Sequence, residues 1–187
     1  WLPTPSGRIK ILLSTIEEDK TFMTISRRHY QTLKLEPLTE DLKINFINNY
    51  LERYAKKLKP SQIIKIVKDP QCSNTLVLRT LLDELISFGV YEKIDERIAY
   101  YTGKKSIEDF YSALLYSYED EYGHLLIREI LSLIATSRYG LSEDEILSLT
   151  AIKPFLWSQF YCSFNRNFRS QNGLISFSHK SIYYAVE

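Results

Sequence analysis

The chain has 187 residues, 24 Lys and Arg against 23 Asp and Glu, a formal net charge of +1, and 44% hydrophobic residues. That composition supports one large or two small folded domains with a real core, and it excludes the strong basic field that recruits nucleic acid or anionic membrane. No apolar run approaches the roughly 20 residues of a membrane span, and Trp1-Leu2-Pro3-Thr4-Pro5 lacks the regions of a signal peptide. Cys72 and Cys162 share no metal-ligand or redox spacing, so reduced thiols in a cytoplasmic protein are expected. Opening on a Pro-rich turn rather than Met, the chain reads as a piece of a longer polypeptide.

Arg8 to Thr15 reads as a short strand buried on both faces, and Gln31 to Leu35 as a second after a polar, partly helical stretch. The pair suggests the last part of an α/β domain, residues 1–38. From Thr39 the chain turns helical. Thr39 caps a helix with Glu40 and Asp41 in its first turn and Leu42, Phe46, Ile47, Tyr50, Leu51, Tyr54 and Leu58 on one face. Pro60 opens a second helix that Asp69-Pro70 ends, and a third runs from about Asn74 to Phe88 before Gly89. Helices near 91–101, 106–121 and 124–138 complete a helical block over 39–136.

Gly140 then ends a helix, and Ser142 with Glu145 forms a capping box for the next. A helix over about 154–165 carries Phe155, Trp157, Phe160, Tyr161 and Phe164. Strands at 168–170 and 174–178 flank Gln171-Asn172-Gly173, a strong hairpin signal. Helix, helix, hairpin, helix is a winged-helix order for residues 137–187. The expected fold is therefore mostly α with a small β part.

Little in the chain supports catalysis by itself. There is no G-x-x-x-x-G-K-[ST] phosphate loop, since Gly103-Lys104-Lys105-Ser106 lacks the upstream glycine, and there is no G-x-S-x-G elbow or H-E-x-x-H pair. Neither a catalytic residue nor a metal ligand set is expected. Glu119 with Glu121, and Glu143 with Glu145, read as carboxylates on helix surfaces or first turns. The segment Pro154 to Asn165 has no cation, which argues against a DNA-recognition helix, so no nucleic-acid or membrane partner is expected. His179, where a strand hands over to the terminal helix, has two readings: a structural tie at a strand end, or a conformational sensor whose imidazole both donates and accepts.

Several segments together resemble the NACHT class of signal-transducing STAND nucleotide switches, in particular nephrocystin-like and tetratricopeptide-repeat-linked members. They are Ile9 to Thr15 after Trp1-Leu2-Pro3, Leu35-Glu36-Pro37-Leu38-Thr39, Asn74-Thr75-Leu76-Val77-Leu78, Leu82-Asp83-Glu84-Leu85 with Phe88-Gly89, Ser137 to Ser142, and Phe177-Ser178-His179. The resemblance covers nearly the whole chain. It implies the tail of an α/β P-loop ATPase core, a helical lid and a winged helix that close over ATP or ADP. The phosphate loop and the residues holding Mg would lie outside this chain, in the N-terminal core of the same polypeptide, and protein partners would bind through flanking repeats. It implies that His179 touches the β-phosphate of ADP, that Ser14 and Thr15 end the strand facing the γ-phosphate, and that Asn74 and Thr75 lie at the adenine. Two departures stand out. Thr75 replaces a Pro whose ring lies against the adenine in many relatives, which implies weakened base stacking, and Ile16 replaces an Arg, which implies a missing charge-based γ-phosphate sensor and weak or lost hydrolysis. The alternative expectation is a nucleotide-independent protein-interaction scaffold with a degenerate ATPase module.

Overall fold

The computed structural model describes residue 7 and residues 10–17, 19–28 and 30–186. It divides into two compact units, Trp1–Glu36 and Pro37–Glu187. Among the described residues of the N-terminal unit, the one regular element is α1 (Lys20–Ser26), whose N-cap Asp19 accepts a hydrogen bond from the Thr21 amide at 3.2 Å; none of its residues is buried. Lys34 and Glu17 form an exposed ion pair at 3.1 Å.

The strands expected at 8–15 and 31–35 are not formed: residues 10–16 and 30–35 carry no strand, and Arg8 and Ile9 lie outside the described residues. A strand exists by pairing with a neighbour and covering its faces. Among the described residues neither segment has a ladder partner, and Leu12 is 98% exposed.

The larger unit begins at α2 (Glu40–Glu52), where the Thr39 hydroxyl accepts from the Leu42 amide and Glu40 and Asp41 face the positive helix end. This helix stops before the expected Leu58. Ala55 takes a left-handed conformation (φ 52°), and the amides of Lys56 and Ala55 donate back to the carbonyls of Leu51 and Glu52. That closure normally uses Gly, so no residue type marked it in the sequence. The inward face also differs from the apolar reading. Leu42 is 52% exposed, whereas Lys43 is buried and its Nζ donates to the carbonyls of Val67 (2.8 Å) and Asp69 (3.3 Å). Those carbonyls close α3 (Pro60–Lys68), so a cation sits at the negative end of that helix.

A tight 3-10 turn at Gln71–Ser73 leads into α4 (Thr75–Ser87), and a second at Tyr91–Lys93 into α5 (Ile94–Tyr101). The buried Asp69 carboxylate fixes both ends of this region, accepting from the amides of Gln71 at 2.9 Å and Gly103 at 2.7 Å. Two longer helices follow, α6 (Ile107–Tyr122) and α7 (His124–Thr136), separated by Gly123 at φ 110°. Glu119, expected on a helix surface, is instead buried in this corner. It accepts from Arg128 Nε at 2.9 Å and lies 3.1 Å from His124 Nδ1, so the packing of α6 on α7 turns an ordinary helical carboxylate inward.

Next come α8 (Glu143–Thr150), with the Ser142–Glu145 capping box formed in both directions, and α9 (Pro154–Phe164). Strands β1 (Phe168–Gln171) and β2 (Leu174–Phe177) pair antiparallel, Phe168 opposite Phe177 and Gln171 opposite Leu174. Asn172 and Gly173 both have positive φ, as a two-residue hairpin turn demands. Leu141, just before α8, bridges to Ile175 on the free edge of β2. The chain then enters α10 (Lys180–Val186), which packs chiefly on α6. A single apolar core runs from Ile47 through Phe110 and Leu114 to Trp157, Phe160, Phe164 and Ile182. The described chain is thus mostly helical with one small antiparallel sheet.

Candidate functional site: a polar cleft between α4 and the α9 turn

Helix α4 presents one stripe of side chains at helical spacing, Leu76, Arg79, Thr80, Asp83, Glu84 and Ser87, to a cleft of about 160 Å³. The opposite wall is the end of α9 and the turn after it: Cys162, Ser163, Asn165, Arg166 and Asn167. His179, between β2 and α10, completes the lining.

Arg166 crosses from one wall to the other. Its guanidinium donates to the hydroxyls of Tyr50 (3.1 Å) and Tyr54 (2.7 Å) on and just after α2, forms an ion pair with Asp83 of α4, and lies 5.3 Å from the centre of the Tyr54 ring. Tyr50 donates to the same Asp83 carboxylate at 2.5 Å, and Arg79 reaches its other oxygen at 3.8 Å. One carboxylate therefore serves two arginines and a phenol.

Glu84, one residue along, faces inward and is buried. It accepts from the hydroxyls of Tyr118 (2.7 Å) and Tyr101 (3.2 Å), with Arg97 at 3.5 Å. Burial pushes its pKa above the usual carboxylate value, while Tyr118, Arg97 and Tyr101 oppose the shift. Burial likewise raises both phenols, and Glu84 adds to each because a phenolate beside a carboxylate is unfavourable. Tyr118 also lies 3.1 Å from the Ser163 carbonyl, tying this cluster to the opposite wall.

The His179 ring stands 4.8 Å from that of Tyr111, whose hydroxyl is 3.2 Å from Thr80 Oγ1. Burial pushes the Tyr111 phenol up to about 12 and pulls the His179 imidazole below its ordinary value, which favours the neutral ring. Its Nδ1 is buried and has no hydrogen-bond partner among the described residues. A buried polar atom left this way is uncommon, because it forfeits its hydration without a replacement.

The other residues expected to bind nucleotide are placed differently. Asn74 caps α4, accepting from the Leu76 amide at 2.8 Å, and Thr75 is the exposed first residue of that helix; both precede the cleft-lining stripe. Ser14 and Thr15 are exposed in the N-terminal unit, where Thr15 Oγ1 contacts the Ile16 carbonyl at 3.4 Å. The structure thus brings His179 to α4, and adds Arg79, Asp83, Glu84 and Arg166, which no sequence pattern singled out as site residues. A trace was visible for Glu84, a carboxylate set within the apolar run Leu81, Leu82, Leu85 and Ile86.

Chemically the cleft offers donors and charges for holding a polar group. Among the described residues no three His, Cys, Asp or Glu side chains converge as a metal site, and no helix is long and apolar enough to cross a membrane.

Over its full length the chain is 30% identical, in an alignment of 195 residues, to a TPR repeat-containing protein of Dictyostelium discoideum. It spans 12% of that protein's length. No protein-family model matches the chain, and no solved structure matches it.

Proposed function

We propose that this chain is the regulatory part of a NACHT-type ATP/ADP-dependent switch, in which residues 39–136 act as a helical lid and residues 137–187 as a winged helix. The observation that carries the reading is His179: it lines the same polar cleft as Arg79 and Arg166, with a ring nitrogen that has no partner among the described residues. The order of α7, the Leu141 bridge, α8, α9 and hairpin supports a winged helix. Similarity to a TPR repeat-containing protein supports a repeat-linked protein that works through protein partners; in this reading it acts in signalling or assembly in the cytoplasm.

In this reading His179 donates a hydrogen bond to a phosphate of ADP, Asn74 and Thr75 flank the adenine at the start of α4, and Ser14 and Thr15 face the γ-phosphate. The phosphate loop and Mg ligands belong to the N-terminal core of the longer polypeptide. A nucleotide biases the switch only by binding one arrangement better than the other. One hydrogen bond to a charged phosphate is worth roughly 1.5 to 3 kcal/mol, enough for a bias of about tenfold or more. In the full-length protein, His179→Ala should weaken ADP binding by that factor in calorimetry. Equal affinities would remove His179 from the sensing role.

The second reading is a nucleotide-independent protein-interaction scaffold. It is favoured by the state of the cleft's cations, since Arg79 and Arg166 already share Asp83 and an incoming anion would compete with that carboxylate. Full-length protein that fails to bind ADP or ATP, yet still captures its partners, selects this reading.

A further inference from the structure

We infer that Arg166 is a releasable strap across the mouth of the cleft, holding the α9 turn against α2 and α4 and thereby controlling entry to the space beneath it. The strap does not depend on which ligand enters.

The two walls of the cleft are joined differently at the mouth and at the base. At the base, the connections are buried. α4 is tied to α6 through Glu84 with Tyr118 and through Thr80 with Tyr111. α9 is tied to the same helix through Phe160 and Phe164, whose rings lie 6.0 and 5.1 Å from that of Tyr118. Both walls are thus anchored to α6, with Tyr118 shared between them.

At the mouth, the link among the described residues is Arg166 reaching Asp83, Tyr50 and Tyr54. Its side chain is 35% exposed; that of Asp83 is 12% exposed, and separation at the mouth gives water access to the charged and hydroxyl groups whose bonds break. Breaking the base would instead strand a buried carboxylate and expose aromatic rings. The low-cost motion is therefore separation at the mouth while α6 stays closed beneath. Release would uncover the inner lining, Glu84 and His179, from the side facing Arg166.

The experiment is amide hydrogen exchange across residues 161–171 in the full-length protein, for wild type, Arg166→Ala, Asp83→Asn and the double variant. Losing one charge-assisted contact should raise exchange in this segment by about tenfold, with α6 amides unchanged. The double variant should exchange no faster than the faster single variant, since both cut the same strap. Raising salt should speed exchange in wild type and leave Arg166→Ala unaffected. Additive effects of the two substitutions, or exchange rising equally in α6, would overturn the inference. So would unchanged exchange in Arg166→Ala. Tyr54→Phe, which removes one strap bond and keeps the ring, should give a smaller rise in the same segment; no rise there also counts against the strap.

Discussion

Gly140 offers a sharp test of how the hairpin is held to the helices. Its φ is 95°, and a Cβ added there would collide with the Ile175 carbonyl oxygen and lie 2.9 Å from the carbonyl carbon. That oxygen accepts from the Leu141 amide at 3.0 Å, and the Leu141 carbonyl accepts from the Ile175 amide at 2.7 Å. A methyl group can be accommodated only by moving backbone, which breaks this pair. Gly140→Ala should therefore cost about 1 to 2 kcal/mol for the disfavoured φ and about 1 kcal/mol for each of two hydrogen bonds, some 3 to 4 kcal/mol in all. For a chain of this size that lowers the melting temperature by roughly 10 °C. Gly173→Ala is the control, because Gly173 also has positive φ but nothing within 4 Å of the position its methyl group would take. Urea unfolding of the two variants beside wild type gives the comparison. Equal losses, or a loss below about 1 kcal/mol at Gly140, would refute the idea that the bridge between Leu141 and Ile175 fastens the sheet.

Glu84→Gln should change how stability depends on pH. The folded state raises the Glu84 pKa above its ordinary carboxylate value, so its contribution is fully present below that value and is lost as pH rises through the folded-state one. Wild type should therefore lose stability relative to the Gln variant on going from acid to neutral pH, and a pH-independent difference in urea midpoints would contradict this. Lys43→Met keeps the aliphatic stem but removes the donor to the Val67 and Asp69 carbonyls, and should cost about 1.5 to 3 kcal/mol. A Met variant as stable as wild type in urea would show that the buried ammonium does not hold the end of α3.

The features legible in the sequence are those decided within a few residues. Thr39 and Ser142 with Glu145 act on backbone groups three positions away, Pro60 and Asn172-Gly173 through their own backbone angles, and each does in the structure what its chemistry predicts. The end of α2 escaped because its left-handed residue is Ala55 rather than Gly. The N-terminal strands escaped for the opposite reason: their local apolar pattern is strong, but a strand needs a partner that no local pattern supplies. Lys43, Glu84, Glu119 and Arg166 were harder still. Charged residues at helical spacing look like a solvated face, and what engages them lies on another element: carbonyls 24 and 26 residues away for Lys43, a phenol 34 away for Glu84, the following helix for Glu119, and Tyr50, 116 residues away, for the exposed Arg166.

That distribution bears on the cleft itself. His179 stood out in the sequence as a single residue at a strand end, and a family resemblance alone implied what it would face, a phosphate. In the structure it faces α4, and the walls of the space between are lined by side chains that would be cheaper to hydrate than to bury unless their partners stay in place. A permanent junction between these elements would be stabilised more simply by apolar packing, as α9 is against α6. Here the partly exposed Arg166 link occupies the mouth and the buried contacts of Glu84, Tyr118, Phe160 and Phe164 the base, an arrangement that lets one side open at modest cost while the other holds. Nucleotide affinity at His179 and exchange at Arg166 therefore probe different properties: what the cleft recognises, and whether its mouth opens at all.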